Sequence, residues 1–81
     1  MRDLGRKMTR KEFLVRLDEI VELPAGSLLG DEKLEDLEGW NSLAMLSFMA
    51  MVDEEFDLKL SPRQFVGCET VNDLAALARV I

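Results

Sequence analysis

The stretch Glu38–Asp57, EGWNSLAMLSFMAMVDEEFD, decides the fold because it contains an almost uninterrupted apolar run that follows a serine. Ser42 opens the run, and a cluster of acidic residues ends it. Placed at 100° per residue, the apolar side chains fall on two faces of one helix. The sequence therefore predicts a helix from Ser42 to Phe56.

The two faces of this helix differ in the chemistry of their residues. One is the expected core stripe: Met45, Phe48, Met49, Val52 and Phe56. The other is apolar near the serine and acidic towards its far end, and it consists of Ser42, Leu46 and Asp53, flanked by Leu43 and Ala50. Single exposed leucines are common on soluble proteins. The second face by itself therefore does not establish a binding surface.

A second helix is predicted upstream, over residues 10 to 22. The segment Thr9–Glu12, TRKE, has the pattern of a capping box, in which the threonine hydroxyl and the glutamate carboxylate each accept from a backbone amide of the first turn. One apolar stripe follows at helical spacing: Phe13, Leu14, Leu17, Ile20 and Val21.

The connection between these two helices is long and irregular. Residues 22–39, ELPAGSLLGDEKLEDLEG, contain one proline and three glycines. Because a structureless connection of this length is unusual in a compact domain, we expect apolar side chains to hold it against the core. The candidates are Leu28, Leu29, Leu34 and Leu37.

Two more helical segments complete the chain. Ser61 and Pro62 favour the start of a short third helix, and Thr70 with Asp73 favours the start of a fourth. The fourth helix should bury Val71, Leu74, Ala75, Leu77, Ala78 and Ile81. The predicted fold is an all-α four-helix bundle with three main helices, one short helix and a long first loop.

The composition argues against an enzyme. The chain has no histidine and no tyrosine, so the usual general base near neutral pH is missing. Its one cysteine, Cys68, has no partner for an internal disulfide, and no zinc ligand set exists. No run of 18 apolar residues and no apolar signal-peptide core occur. We therefore expect a cytoplasmic protein without catalytic residues, bound metal or membrane insertion.

The charge is distributed unevenly along the chain. Residues 1–16 contain six basic and two acidic residues, whereas residues 17–81 contain four basic and fourteen acidic residues. The acidic part repels nucleic acid and favours partners with basic surfaces. We expect residues 1–8 to be a flexible leader. A nucleic-acid or membrane arm is the alternative for this basic segment, although it has no aromatic residue and no long basic run.

The segment Leu34–Pro62, LEDLEGWNSLAMLSFMAMVDEEFDLKLSP, resembles the centre of acyl carrier proteins. That family has an Asp-Ser-Leu triplet at the start of its second helix, after an acidic stretch with leucine and glycine and before Glu-Glu-Phe. The spacing of the rest of the chain from about Thr9 also matches, including TVNDL at the start of the last helix. The resemblance implies a single carrier domain over residues 9–81.

The resemblance also implies a function. Ser42 would accept 4'-phosphopantetheine from coenzyme A, transferred by a separate phosphopantetheinyl transferase with magnesium, and Asn41 and Leu43 would flank the arm. The arm would carry acyl groups as thioesters to enzymes of fatty acid, lipid or polyketide-type synthesis. These partners would present basic patches to a recognition surface on a monomeric carrier. Beside Leu43, that surface would comprise Leu46, Ala50, Asp53 and Glu54.

Asn41 departs from the family pattern, because the residue before the serine is usually aspartate. Asparagine retains the ability to cap a helix but lacks the negative charge that would engage a cation. Three alternatives follow: modification proceeds with a tolerant transferase, as in peptidyl carrier relatives; modification is slow; or the asparagine was introduced deliberately. A peptidyl or aminoacyl carrier and an unmodified interaction domain remain alternatives. Trp40 could pack on the core, or flank the arm or a partner.

Overall fold

The computed structural model describes residues 8–80. Three α-helices alternate with two short 3-10 helices: α1 (Arg10–Ile20), a 3-10 helix (Leu34–Asp36), α2 (Ser42–Phe56), a second 3-10 helix (Pro62–Phe65) and α3 (Val71–Leu77). Within the described residues no strand forms, and only an isolated bridge links Lys33 to Thr70. The predicted all-α architecture is confirmed, with a 3-10 helix as its short element. Residues 1–7 of the expected leader and Ile81 of the expected core lie outside the described residues.

Helix α1 begins as predicted and ends earlier than predicted. The Thr9 hydroxyl accepts from the Glu12 amide at 3.1 Å, and the Glu12 carboxylate accepts from the Thr9 amide at 2.9 Å. The helix ends at Ile20 instead of residue 22 because Glu22 takes a left-handed conformation with φ of 64°. The Leu23 amide then donates back to the Asp18 carbonyl at 2.8 Å, which closes the helix end as a Schellman motif.

The connection after α1 is held by a buried carboxylate. Asp18 is completely buried, and its two oxygens accept from the amides of Gly26 at 2.8 Å and Leu28 at 3.0 Å. Leu28 and Leu34 are buried and Leu37 is half-buried, as expected of residues that hold the connection.

The expectation for Leu29 was wrong, because its side chain is 72% exposed. The amides of Leu29 and Gly30 both donate to the Glu32 carboxylate, at 2.7 and 2.8 Å. This tight turn leaves the Leu29 side chain outside the core.

Helix α2 has the predicted bounds but a different buried face. Phe48 and Val52 are buried as expected, whereas Met45, Met49 and Phe56 are only half-buried and pack against the edge of the core. Ala44 and Met51 are buried instead. Because α2 is apolar on nearly every side, its periodicity did not specify which arc would meet the other helices.

An aromatic cluster lies at the centre of the core. Phe48 makes edge-to-face contacts with Phe13, Phe65 and Trp40, with ring centroids 5.9, 5.8 and 6.0 Å apart. Trp40 is half-buried and also packs against Phe65 at 6.1 Å. Trp40 therefore packs on the core and links the loop before α2 to Phe48 of α2 and to Phe65 of the second 3-10 helix.

Helix α3 is tied to the long connection at its start. The Thr70 hydroxyl accepts from the Asp73 amide at 3.3 Å, and the Asp73 carboxylate accepts from the Thr70 amide at 3.0 Å, as predicted for a capping box. The Val71 amide donates to the Glu32 carbonyl at 3.0 Å. Of the predicted core residues of this segment, Leu77 is only half-buried, while four are buried: Val71, Leu74, Ala75 and Ala78.

Candidate functional site

The start of α2 is capped by Asn41. The Asn41 side-chain oxygen accepts from the Ala44 amide at 2.9 Å, and its carbonyl accepts from the Met45 amide at 2.8 Å. An aspartate would provide the same acceptor for the helix. The departure from the family pattern at this position therefore leaves the capping geometry intact and changes only the charge before the serine.

Ser42 is the first residue of α2 and is exposed. Within the described part of the chain, its hydroxyl makes no hydrogen bond to another protein group. The amides of Ser42 and Leu43 likewise have no acceptor among residues 8–80, because the first turn of a helix leaves its leading amides unpaired. A helix start of this kind favours an anion, since free amides and the positive end of the helix dipole both point towards it.

The position of this helix start depends on a close approach at Gly39. A Cβ atom at Gly39 would collide with the backbone carbonyl of Val21, at the end of α1. The loop before α2 therefore packs directly on the α1 backbone. This contact and the packing of the Trp40 ring against Phe48 together hold the start of α2 in position relative to α1.

The predicted recognition residues divide into two groups. Leu43, Ala50 and Glu54 line a groove of about 520 Å³ between α1 and α2, which Asn41 also lines. Ser42, Leu46 and Asp53 do not line this groove. Leu43 and Leu46 are 72% and 59% exposed, so both are accessible to a partner.

Asp53 differs from Glu54 in having a nearby cation. The Lys59 ammonium lies 3.3 Å from an Asp53 carboxylate oxygen, and both side chains are largely open to solvent. An exposed pair of this kind contributes little to stability. It nevertheless reduces the negative potential at Asp53, whereas Glu54 is exposed and makes no ion pair within residues 8–80.

Among residues 8–80, three groups have clearly shifted pKa values, and all three lie outside the Ser42 region. Partial desolvation opposes ionisation of Glu32, but the amides of Leu29 and Gly30 that donate to it lower its pKa overall. The amides of Glu69 and Thr70 lower the pKa of Asp73. Partial burial, with a smaller contribution from the Asp73 charge, raises the pKa of the Cys68 thiol. These shifts bear on folding and on thiol reactivity.

Across residues 8–80, no group of three or more acidic, cysteine or histidine side chains is placed to hold a metal ion. None of the described helices has the length and apolar character needed to cross a bilayer.

Sequence reasoning missed two groups of residues. Asp18 was not predicted to be buried, although it lies i+4 from Leu14 and i−3 from Val21 on the apolar stripe of α1, which was the available signal. Glu19 and Glu22 were not assigned to the surface near Ser42, yet both line the groove between α1 and α2. Nothing in the local sequence indicates that proximity, because it arises from helix packing.

Comparison with known protein families identifies the domain. The family model described as "Phosphopantetheine attachment site" matches residues 12–78, which is most of the chain. Comparison with curated proteins and with solved structures found no match. The chain belongs to the phosphopantetheine attachment site family and is a carrier protein for covalently attached 4'-phosphopantetheine.

Proposed function

We propose that this protein is an acyl carrier protein that holds acyl groups as thioesters on a 4'-phosphopantetheine arm attached to Ser42. It delivers them to enzymes of fatty acid, lipid or polyketide-type synthesis and catalyses no reaction itself. Residues 9–81 form one carrier domain after a leader over residues 1–8, and the protein works as a cytoplasmic monomer. This proposal rests on family membership and on the geometry around Ser42.

The observation that supports the proposal most directly is that Asn41, and not Ser42, caps the start of α2. Asn41 supplies the cap, so the Ser42 hydroxyl is not engaged in holding the helix. Ser42 is exposed, and the two leading amides of the helix have no protein acceptor in the described residues. These features suit a phosphodiester, which needs an accessible hydroxyl for its attachment and stabilisation of its negative charge afterwards.

The arm, when attached, supplies the thiol that forms thioesters, and the chain supplies position and recognition. Leu43 and Leu46 offer exposed apolar contacts beside the attachment point. Asp53 and Glu54 add negative charge at the far end of α2. A transferase or acyl-handling enzyme with basic residues around an apolar spot would match this surface in charge and in shape.

A peptidyl or aminoacyl carrier is the second candidate, and Asn41 favours it. In that branch of the family, the residue before the serine is often not aspartate, whereas the acyl branch usually has the carboxylate. Asn41 caps α2 without that charge. Hydroxylamine cleaves the thioester on protein purified from its native host, which releases the cargo as a hydroxamate and leaves the thiol on the arm. Mass spectrometry of the hydroxamate separates the two candidates, because an aminoacyl hydroxamate contains an additional amino nitrogen that a simple acyl hydroxamate lacks.

The attachment itself can be tested by intact mass. The full chain is incubated with coenzyme A, magnesium and a broad-specificity phosphopantetheinyl transferase. We expect one phosphopantetheine adduct on the unaltered protein and none on Ser42→Ala. Ser47→Ala is the matched control, since Ser47 is also an exposed serine of α2, and it should be modified normally. An unmodified wild-type chain, or an adduct that persists in Ser42→Ala, would refute the proposal.

The importance of Asn41 is tested with Asn41→Asp under the same conditions. Since both side chains can cap α2, the melting temperatures of the two proteins should agree. A faster modification of the aspartate variant would show that the carboxylate assists the transferase. Equal rates would show that the transferase does not need this charge.

A further inference from the structure

The connection between α1 and α2 is also bonded to the start of α3. Residues 29–34 of this connection, which we call the strap, pair with residues 69–72 in an antiparallel arrangement. Three backbone hydrogen bonds of 2.7–3.0 Å join the two segments. The Val71 amide donates to the Glu32 carbonyl, the Asn72 amide to the Gly30 carbonyl, and the Leu34 amide to the Glu69 carbonyl.

Two of these bonds satisfy the leading amides of α3. Val71 and Asn72 are its first two residues, and a helix has no internal acceptor for the amides of its first turn. The strap carbonyls supply those acceptors. The turns of α3 are held separately, by a capping box within residues 70–73 and by buried apolar side chains. Detachment of the strap would therefore free two amides without removing a hydrogen bond from within the helix.

Few apolar side chains hold the strap in place. Within residues 29–34, Leu34 is the only buried side chain, and Leu29 is 72% exposed. Just before the strap, by contrast, Leu28 is buried and its amide donates to the Asp18 carboxylate. Segments with few buried apolar contacts open locally at a lower free energy than the core of a protein. The strap has this property, and the residue before it does not.

Arg10 of α1 contacts the strap and α3 at the same time. Its guanidinium donates to the Leu29 carbonyl at 3.3 Å and to the side-chain oxygen of Asn72. The strap backbone comes close to this contact at Gly30, where a Cβ atom would collide with the side chains of both Arg10 and Asn72. Hydrogen bonds from a charged donor are stronger than those between neutral groups. Arg10 therefore joins α1, the strap and α3 at one point.

We propose that the strap opens and closes by local unfolding while the three α-helices stay folded, and that Arg10 is the residue that holds it closed. In the open state, the three backbone bonds to residues 69–72 are broken and Leu34 is exposed. The strap and Cys68 line a common groove of about 270 Å³. Opening widens this groove and uncovers the half-buried thiol.

The start of α2 is held independently of the strap. Gly39 packs on the Val21 carbonyl, and the Trp40 ring packs on Phe48. Neither contact involves residues 29–34. Ser42 therefore keeps its position in both states of the strap.

Amide hydrogen exchange of the full chain, followed by NMR, tests whether the strap opens on its own. The amides of Leu34, Val71 and Asn72 should share one free energy of opening, below that of the Val52 amide in α2. Ala50→Gly should destabilise α2 alone, because Ala50 is exposed and glycine has a lower helix propensity than alanine. This variant should accelerate exchange at Val52 about 5-fold and leave the other three amides unchanged.

Two variants test the role of Arg10. Arg10→Met removes the guanidinium and Asn72→Ala removes its acceptor on α3, so each should accelerate exchange of the Leu34 amide about 5-fold. Lys11→Met is the matched control, since Lys11 is the next residue of α1 and is exposed, and it should leave this exchange unchanged. On the chain without the arm, a chromogenic disulfide reagent should label Cys68 faster by the same factor in the first two variants.

Two results would overturn the inference. Equal acceleration of the Leu34 and Val52 amides by Ala50→Gly would show that the strap opens only when the whole domain unfolds. Unchanged exchange at Leu34 in both Arg10→Met and Asn72→Ala would show that Arg10 does not hold the strap closed. Neither result bears on attachment of the arm. Circular dichroism melting checks that each variant is folded.

Discussion

Replacement of Asp18 by alanine should destabilise this protein more than any exposed charge substitution. Asp18 is completely buried on α1, and both of its carboxylate oxygens accept from amides of the long connection. Removal of the carboxylate leaves those amides without acceptors. The connection, which leads from α1 towards the start of α2, then loses the contact that holds its first part against the helix.

The loss of unfolding free energy in Asp18→Ala can be worked out from the two amides that lose their acceptor. The Leu28 amide is buried, and an unpaired buried donor costs about 1–3 kcal/mol. The Gly26 amide belongs to an exposed residue and can bind water, so its loss is limited to about 1 kcal/mol. Together they give about 2–4 kcal/mol. A domain of 81 residues has a total stability of about 4–12 kcal/mol, so the variant would lose a large share of it.

Urea denaturation measures this loss directly. Trp40 is the single tryptophan and packs on the core, so its fluorescence reports unfolding. The midpoint for Asp18→Ala should fall without a change in the urea dependence, and the melting temperature should fall by about 10–25 °C. Asp18→Asn should lie between the alanine variant and the wild type, because it retains one acceptor but places an amide group against the other donor.

Glu19→Ala provides the control on the same helix. Glu19 is exposed, and its ion pair with Arg16 is long at 3.8 Å, so its loss should cost less than about 0.5 kcal/mol. If Asp18→Ala and Glu19→Ala have the same midpoint, the two amides do not depend on the carboxylate and the reasoning fails. The same holds if Asp18→Asn is as stable as the wild type.

Three further predictions concern the loop, the response to acid and the thiol. Gly39→Ala should destabilise the fold by about 1–3 kcal/mol, because its Cβ would collide with the Val21 carbonyl; a melting temperature equal to that of the wild type would contradict this close approach. Backbone amides lower the pKa values of Glu32 and Asp73, so their contribution to stability is present at neutral pH and should be lost as pH falls below about 4.5. Urea midpoints measured from pH 7 to pH 3 should therefore fall less steeply for Glu32→Gln/Asp73→Asn, and parallel curves would argue against the assignment. Burial raises the pKa of the Cys68 thiol, so iodoacetamide at pH 8 should alkylate it at least about 3-fold more slowly than the thiol of an attached arm, as read by peptide mass spectrometry; equal rates would contradict the shielding.

The helix starts were predictable from sequence because their signals are local. Thr9 with Glu12 and Thr70 with Asp73 place a hydroxyl and a carboxylate three residues apart, which is the spacing that satisfies the first amides of a helix. The end of α1 was not predictable in the same way. It depends on Glu22 in a left-handed conformation, which a glycine would have signalled and a glutamate does not.

The core and the surface near Ser42 were predictable only in part. Helix α2 is apolar on most sides, so its periodicity did not indicate that Ala44 would be buried more completely than Met45. Ser42 itself was selected as the candidate attachment residue from the residues around it. Glu22 lies twenty positions before Ser42 in the chain. Only the packing of α1 against α2 places it in the groove that Asn41 also lines.

At the start of α2, one residue caps the helix and the next presents the hydroxyl, and this has a consequence for the addition and removal of the proposed arm. Because Asn41 holds the helix, conversion between the forms with and without the arm exchanges no hydrogen bond of the cap. The phosphodiester proposed at Ser42 would also face the free amides at the helix start, a contact that the unfolded chain lacks, so by thermodynamic linkage its attachment should stabilise the folded state. The chain can therefore fold before it is modified. Addition or replacement of the arm would not require the start of α2 to unfold.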